Sequence, residues 1–476
     1  MIHSFNNLYY PIIVLGIIGC GASFCGTNPA YTTGELKYAI SKCQAKLIIC
    51  DPDVLRETIT AAANDCGIPT SKILALDTIE ASQPPANPEG FPSWRALLTH
   101  GEADWLRFDS EKTSRNTTAF LFFSSGTTGL PKATQLSHYN LIAQHVLVFQ
   151  HRPRPYTMRR LIALPMFHAA TAPSTHISAL KAGHVQVIMR RYDPGAFIDM
   201  VEKYAITDLT LVPPQVTSLL ALPMPTEQKK AKLKNVKNVW GGGAPLPSST
   251  QNAFSAFLPP SSPFTQIWAM TETSCFASLL PYPETDNTGS VGRFLPNIDV
   301  KLLDDEGKEI TAFDVPGELA IRGPTVTRGY VGVDRYRDFD DEGYFRTGDI
   351  LKCDDKSGLW YILDRKKDLI KVRGFQVAPA EIEGVLLSHP DVADAAVIGV
   401  RNKSGDSELP RAFVVKKDGA EVDERDVKKW VEERLARYKW LEGGVWFVGS
   451  LPKTASGKVL KRVLGEGGGR EGGVKL

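Results

Sequence analysis

The sequence carries no excess of charge of either sign: 55 Lys and Arg stand against 53 Asp and Glu, a formal net charge of +2. That balance excludes a basic footprint for nucleic acid or for an anionic membrane surface. There is no CxxC pair, and the seven Cys are an odd number. A zinc ribbon and a disulfide framework are therefore not expected, and a reducing compartment fits best. No apolar run reaches the roughly 20 residues that a membrane-spanning helix needs. The candidate YYPIIVLGIIGCGASFC (9–25) is shorter and broken by Pro and Gly, and the preceding MIHSFNN has no Lys or Arg. It reads as a buried helix and strand rather than as a signal peptide. Neither an internal repeat nor a GxxxxGK[ST] loop occurs. What remains is ordinary globular usage, 43% hydrophobic and 23% charged over 476 residues, enough for about three domain-sized units.

To about residue 300 short apolar runs alternate with longer amphipathic ones. KLIICD (46–51), KILALD (72–77), TAFLFFSS (118–125), RLIALPMF (160–167), HVQVIMR (184–190) and DLTLVPP (208–214) read as buried strands. DVLRETITAAAND (53–65) and NLIAQHVLVFQ (140–150) read as helices between them. This alternation predicts an α/β fold with mostly parallel sheets. From about 299 the runs DVKLLDDEGKEI, PGELAIRGP and GLWYILD predict a small β-rich unit. After Asp364–Lys367 comes a compact α+β pattern. It comprises DLIKV (368–372), a turn at Arg373-Gly374, a helix opening at Pro379, strands over 395–400 and 411–417, and a charged amphipathic helix over 423–438. The expected organisation is a large domain 1–364, a small mobile domain 365–464 and a Gly-rich, disordered tail 465–476.

SSGTTGLPKATQLSH (124–138) follows an apolar strand. Its hydroxyls, free amides and small residues suit a polyphosphate, and Lys132 adds a point charge; alone, the same segment reads as a polar hairpin turn. QIWAMTET (266–273) offers an aromatic for a purine, a Thr for a phosphate and a carboxylate for Mg2+. YFRTGDI (344–350) offers Asp349 for ribose hydroxyls, and PKTASGK (452–458) a lysine on a Gly/Ser loop. Singly, each also reads as a solvated loop, and His168 in PMFH also reads as a core histidine.

As an ordered set, SSGTTGLPK, QIWAMTET, YFRTGD, DRKKDLIKVRGFQVAPAEIE and PKTASGK resemble the adenylate-forming enzymes. These include acyl-CoA synthetases, 4-coumarate-CoA ligases, luciferases and peptide-synthetase adenylation domains, with the 4-coumarate-CoA ligase-like branch the nearest in pattern. The resemblance covers roughly residues 8–462. It implies an AMP-forming acid–thiol ligase. A carboxylate attacks the α-phosphate of ATP to give acyl-adenylate and pyrophosphate, and CoA then displaces AMP. The implied phosphate loop is Ser124, Ser125, Gly126, Thr127, Thr128, Gly129 and Lys132. Gly242, Gly243 and Ala244 line adenine and the acyl group, and Trp268 packs on adenine. Thr271 contacts the AMP phosphate, Glu272 holds Mg2+, and Asp349 and Arg365 hold the ribose. Lys367 is the hinge. Lys371 and Gln376 face the nucleotide in the thioester-forming state, Lys458 is the adenylation lysine, and His168 lies beside the reacting carboxyl. Gly374 is either where the thiol's arm passes or a plain turn residue. The implied partners are ATP, Mg2+, CoA and a small carboxylic acid, with no nucleic acid and no membrane span. The implied compartment is cytoplasmic or, from a loose match of Val474-Lys475-Leu476 to a peroxisomal ending, peroxisomal.

Three departures from the family pattern stand out. Ala133 replaces a usual Gly. Ile267 and Ala269 flank Trp268 where related ligases often have Gly, and Ile267 is expected to narrow the acyl pocket. Finally, PIIVLGIIGCGASFCGTNPAYTTGEL (11–36) resembles a part that normally lies some way into the large domain. A shortened gene model or isoform would explain that, and it predicts an apolar sheet edge left uncovered. A carrier-protein loader, a luciferin-oxidising enzyme and an inactive homologue stay open beside the acid–CoA ligase.

Overall fold

The computed structural model of the chain describes residues 1–54, 57–77, 90–124, 131–373, 375–402, 407–454 and 457–466. The expected Ser125–Gly129 part of the phosphate loop, Gly374 and residues 467–476, with the Val474-Lys475-Leu476 ending, lie outside the described residues.

Continuous apolar runs became parallel strands covered on both faces, as such runs must. The first sheet has the spatial order Ile73–Ala75, Ile48–Cys50, Ile2–His3, Phe24–Thr27, Thr118–Ser124, Lys132–Ser137. It is parallel except for its last strand, which returns antiparallel to Thr118–Ser124. The second sheet is wholly parallel, in the order Phe264–Gln266, Asn238–Gly241, Asp208–Leu211, Arg159–Ile162, Val185–Ile188. Asn6 ties the two together. Its amide donates to the carbonyls of Leu164 and Met189 at 3.0 Å each, and its oxygen accepts from the Met166 amide at 2.8 Å. Four bonds converge on this buried side chain, counting a longer one to Ile162, so the Pro165–His168 turn is held in place.

The β-rich unit is an antiparallel sheet whose strands Asp299–Leu303, Gly317–Arg322, Phe345–Cys353 and Trp360–Arg365 lie side by side. Beyond it, Ile370, Val372, Val377, Ile382, Val397, Val414 and their neighbours form a separate apolar cluster. The helix Pro379–Leu387 opens with its Pro in the first turn, and its Ala380 amide donates to Asp364 Oδ2 at 3.0 Å. The charged helix is shorter than the 423–438 expected. It spans Glu424–Glu432, capped by Asp423 and amphipathic only that far, and a single tight turn at Arg437–Lys439 follows.

The expected uncovered sheet edge is not found. Ile2–His3, only two residues long, is an interior strand, and the edges are Ile73–Ala75 and Lys132–Ser137. Part of the apolar surface that stays exposed is on and beside the helix Tyr10–Gly19: Leu8, Ile12, Trp105 and Leu106.

Candidate functional site

Three loops converge at the C-terminal ends of the parallel strands, where open α/β sheets place their ligands. The antiparallel register sets Ser124 opposite Lys132, so the two ends of the Ser/Thr/Gly loop are adjacent. Lys132 Nζ lies 3.0 Å from Asp338 Oδ1 and 4.5 Å from the centre of the Tyr330 ring. Tyr330 donates its hydroxyl to Glu272 Oε1 at 2.8 Å. Burial, reinforced by Glu272, raises the Tyr330 phenol far above its ordinary pKa, so it remains a donor. Lys132, Tyr330 and Glu272 thus form one chain. Ala133, the first departure, is fully buried there, and its carbonyl accepts from Val331 at 2.9 Å.

Glu272 sits beside Thr271 in a single tight turn. It is 5% exposed, and among the described residues no ion pair involves it. A buried carboxylate without a cation is costly, and one carboxylate completed by phosphate oxygens is how Mg2+ is commonly held. The donor set therefore fits the ion.

A second group lies across the cleft. Asp349 and Arg365 are register partners on adjacent strands, with Arg365 Nε 2.9 Å from Asp349 Oδ1. Trp268 donates Nε1–H to Asp349 Oδ2 at 2.9 Å and is 3% exposed. Its indole packs edge-on to Phe294 within the core. Despite the nearby guanidinium, Asp349 Oδ1 has no aligned hydrogen bond, which suits an incoming hydroxyl such as that of a ribose.

The Gly242-Gly243-Ala244 turn extends the strand Asn238–Gly241 between Leu211, whose carbonyl accepts from Gly242, and Ile267. A Cβ at Gly242 would stand 2.6 Å from Ile267 Cγ1, so the second departure, Ile267, is accommodated by the missing side chain there. His168 follows the Pro165 turn, and the Ala170 amide donates to its Nδ1 at 3.1 Å. Burial lowers its pKa to about 4. The ring is therefore neutral at pH 7 and, with Nδ1 accepting, carries its proton on Nε2.

The small C-terminal unit reaches over this cleft, whose volume is about 2590 Å3. Thr454 and Lys458 close a turn through 2.8 and 3.1 Å bonds. Gly457, at φ +83°, is so close to the sheet ends that a Cβ there would lie 3.0 Å from Pro214 Cγ. Lys458 is brought into the field of Arg365 and Asp349. Burial, aided by Arg365 and Lys367 and opposed by Asp349 and Asp368, lowers its pKa to about 8. Lys367 lies exposed in the turn after Trp360–Arg365. Lys371 and Gln376 are register partners on an exposed hairpin. The Lys371 backbone amide donates to Glu408 Oε2 and the Gln376 side chain to Asp305 Oδ2, and among the described residues no hydrogen bond joins either to Trp268, Thr271 or Asp349.

Tyr330, Asp338, Asp364 and the Val212–Pro214 segment belong to this site and went unmarked in the sequence. RGYVG around Tyr330 holds a single aromatic and no fixed spacing to the other motifs, so it carried no signal. Among the described residues no helix is long and apolar enough to cross a membrane.

Comparison with known proteins matches residues 1–331 to the AMP-binding enzyme family and 381–458 to the AMP-binding enzyme C-terminal domain. The chain is 49% identical over 465 residues to a phenylacetyl-CoA ligase of Aspergillus niger, covering 97% of this chain and 85% of that one. It is 44% identical to an acyl-CoA synthetase of Alternaria alternata, covering 98% and 81%. The crystal structure of ATP-bound MatB from Rhodopseudomonas palustris superimposes with a TM-score of 0.81 at 29% identity, over 98% of this chain and 88% of that one.

Proposed function

The chain belongs to the AMP-binding enzyme family and is an AMP-forming acid–thiol ligase that uses ATP and CoA, and we propose that its acid is a small arylacetic or related ring acid activated by the residues gathered in the cleft. The name of the Aspergillus niger relative supports the acid class. The observation that carries the assignment of roles is the seating of the Lys458 turn against Pro214 and beside Asp349 and Arg365.

In this reading residues 1–364 bind substrates and 365–464 swing as a smaller unit about Lys367. Ser124, Ser125, Gly126, Thr127, Thr128, Gly129 and Lys132 hold the phosphates, while Asp349 and Arg365 hold the ribose. Trp268, Gly242, Gly243 and Ala244 enclose adenine and the carboxyl end of the acid. Nε2–H of His168 donates to that carboxylate and aims it at the α-phosphate, with Thr271 on the phosphate's other side. Attack forms the acyl–phosphate bond and expels pyrophosphate, and the negative charge that builds on the phosphoryl oxygens is met by the Lys458 ammonium. Mg2+ at Glu272 would supply further charge neutralisation. Lys458 then leaves, and Lys371 and Gln376 replace it for attack of the CoA thiol on the acyl-adenylate, with AMP as leaving group. The unpaired cysteines and balanced charge support a cytoplasmic or peroxisomal setting.

The test is acid-dependent ATP–pyrophosphate exchange across a panel of ring and aliphatic acids, followed by CoA-dependent AMP release. Exchange with arylacetates and AMP release on adding CoA are expected. Exchange only with aliphatic acids would refute the acid class, and no CoA dependence would refute the thiol.

A further inference from the structure

The cysteines are not spread evenly through the fold. Cys25, Cys43, Cys50 and Cys66 all belong to, or pack against, one apolar cluster shared by the first sheet and the helix Thr33–Cys43. A free buried cysteine ordinarily behaves as a small apolar side chain with a weak S–H donor, and most cysteines here do. Among the described residues the sulfurs of Cys20, Cys50, Cys66, Cys275 and Cys353 reach backbone carbonyls or the Ser41 hydroxyl, and no other sulfur. Cys25 and Cys43 differ. Their Sγ atoms meet side chain to side chain at 3.2 Å, and both are free thiols. A disulfide bond is about 2.05 Å long, so the two sulfurs need to close by only about 1.2 Å.

The two ends of this pair are differently placed. Cys25 is buried on the interior strand Phe24–Thr27, whereas Cys43 is the half-buried last residue of its helix, so a small oxidant reaches the pair past Cys43. Their contact holds the Cys25 thiol below its ordinary pKa in spite of burial and raises that of Cys43, which makes Cys25 the thiolate of the pair. Both ends also connect to the phosphate-binding side of the cleft. Cys25 is the register partner of Leu121, on the strand that ends at Ser124. On the helix, little more than one turn before Cys43, Tyr38 donates its hydroxyl to the Pro131 carbonyl at 2.9 Å, immediately ahead of Lys132. The Tyr38 ring lies 6.2 Å from that of Phe123, next to Ser124. A covalent tie between Cys25 and Cys43 therefore joins the elements that set the positions of Ser124 and Lys132.

We propose that Cys25 and Cys43 are an oxidative modification site, where a peroxide closes a reversible disulfide that draws the end of the helix Thr33–Cys43 toward the first sheet and weakens the hold on ATP at Lys132. The Cys25 thiolate attacks one oxygen of hydrogen peroxide. An S–O bond forms, the O–O bond breaks, and the departing hydroxide takes up a proton as water. The Cys43 sulfur then attacks the Cys25 sulfur of the resulting sulfenic acid. The S–S bond forms as the hydroxyl leaves with the Cys43 proton as a second water. Two thiols are oxidised and one peroxide is reduced. A dithiol restores the pair by thiol–disulfide exchange, so in a reducing compartment its resting state is the dithiol.

The effect on ATP rests on the phosphate-binding role proposed for Lys132, whereas the cross-link itself does not, and the test separates them. The full chain is treated with hydrogen peroxide, digested without reductant and mapped by mass spectrometry, and the Kd for ATP is measured by calorimetry before oxidation, after it and after dithiothreitol. A Cys25–Cys43 linked peptide is expected, absent from Cys43→Ser, with a Kd for ATP raised roughly fivefold, the scale of one hydrogen bond, and restored by the dithiol. In Tyr38→Phe the cross-link should still form, and oxidation should no longer change the Kd. Peroxide that oxidises the exposed Cys20 yet leaves Cys25 and Cys43 unlinked, or links either to another cysteine, would overturn the site and leave the ligase reading standing. A cross-linked protein with an unchanged Kd would overturn the coupling to Lys132. A reduced wild-type protein that binds no ATP would overturn the ligase reading and the coupling together, with the cross-link still decided by the map. Peptide mapping of the wild type needs no variant to fold.

Discussion

Trp268 donates its indole N–H to Asp349 at 2.9 Å across 81 residues of sequence, so the proposed adenine neighbour and the carboxylate proposed to hold the ribose are one unit. Arg365 bears on the other oxygen of the same carboxylate. Asp349 is therefore held by one hydrogen bond and one ion pair from different elements, and losing Trp268 Nε1–H would leave both buried carboxylate oxygens without a hydrogen bond.

Trp268→Phe retains the ring and deletes that donor. The expected result is a KM for ATP raised roughly tenfold, the scale of one hydrogen bond to a charged group, with the KM for the acid little changed. Steady-state kinetics with each substrate varied in turn checks this. An ATP constant that stays at its wild-type value would show that the bond does not orient Asp349.

Lys458, with its pKa lowered to about 8, is charged below that pH and loses its proton as pH rises through it. If the ammonium stabilises departing pyrophosphate, kcat/KM for ATP in the exchange reaction should fall along a limb centred near 8. In Lys458→Arg the limb should disappear, because a guanidinium keeps its proton. Lys458→Ala should reduce exchange more than about a hundredfold while sparing thioester formation from supplied acyl-adenylate. A pH profile unaltered in the Arg variant would remove the lysine from its role.

Gly457 combines a positive φ with a Cβ position 3.0 Å from Pro214 Cγ. Gly457→Ala should strain the turn and press on the large unit only while Lys458 is seated. Exchange should drop about tenfold, with thioester formation from supplied acyl-adenylate within about twofold of wild type. Equal loss in both half-reactions would mean that the contact persists throughout the cycle.

Ile267 stands over Gly242, at the proposed passage for the acyl group. Ile267→Gly should raise the kcat/KM of a bulky, ring-substituted cinnamate relative to a short acid by tenfold or more, since a methylene or two of pocket space is worth about 1–3 kcal/mol. It should also cost about 2–5 kcal/mol of stability, because Ile267 belongs to the buried core. Specificity constants for both acids in both proteins test the first claim and calorimetry the second. An unchanged ratio would place Ile267 outside the acyl path.

The strands were legible because parallel strands covered on both faces are continuous apolar runs: KLIICD, TAFLFFSS and DLTLVPP each contain one. Ile2–His3 was not, since two residues carry no periodicity and its register partners lie 24 or more residues away. The site motifs were legible as a family pattern. Their mutual contacts were not, because Lys132–Asp338 and Tyr330–Glu272 join segments that only the fold brings together. Trp268 stood out as the aromatic of its motif, but its bond to Asp349 did not, because no local spacing encodes that partner. The polar face of the second sheet was hidden for a related reason. Arg160 follows Arg159 at the start of a strand and looks like a solvated beginning until its register with Asp208 and Asn238 is known.

The second sheet keeps its two sides chemically separate, with Leu161, Leu209 and Val239 to one side and Arg160, Asp208 and Asn238 to the other. Because neighbouring residues on a strand point in opposite directions, a change on the polar side leaves the apolar contacts beneath it in place. Such a partition lets alternate positions on the polar side be exchanged while the scaffold that keeps the domain folded is inherited unaltered.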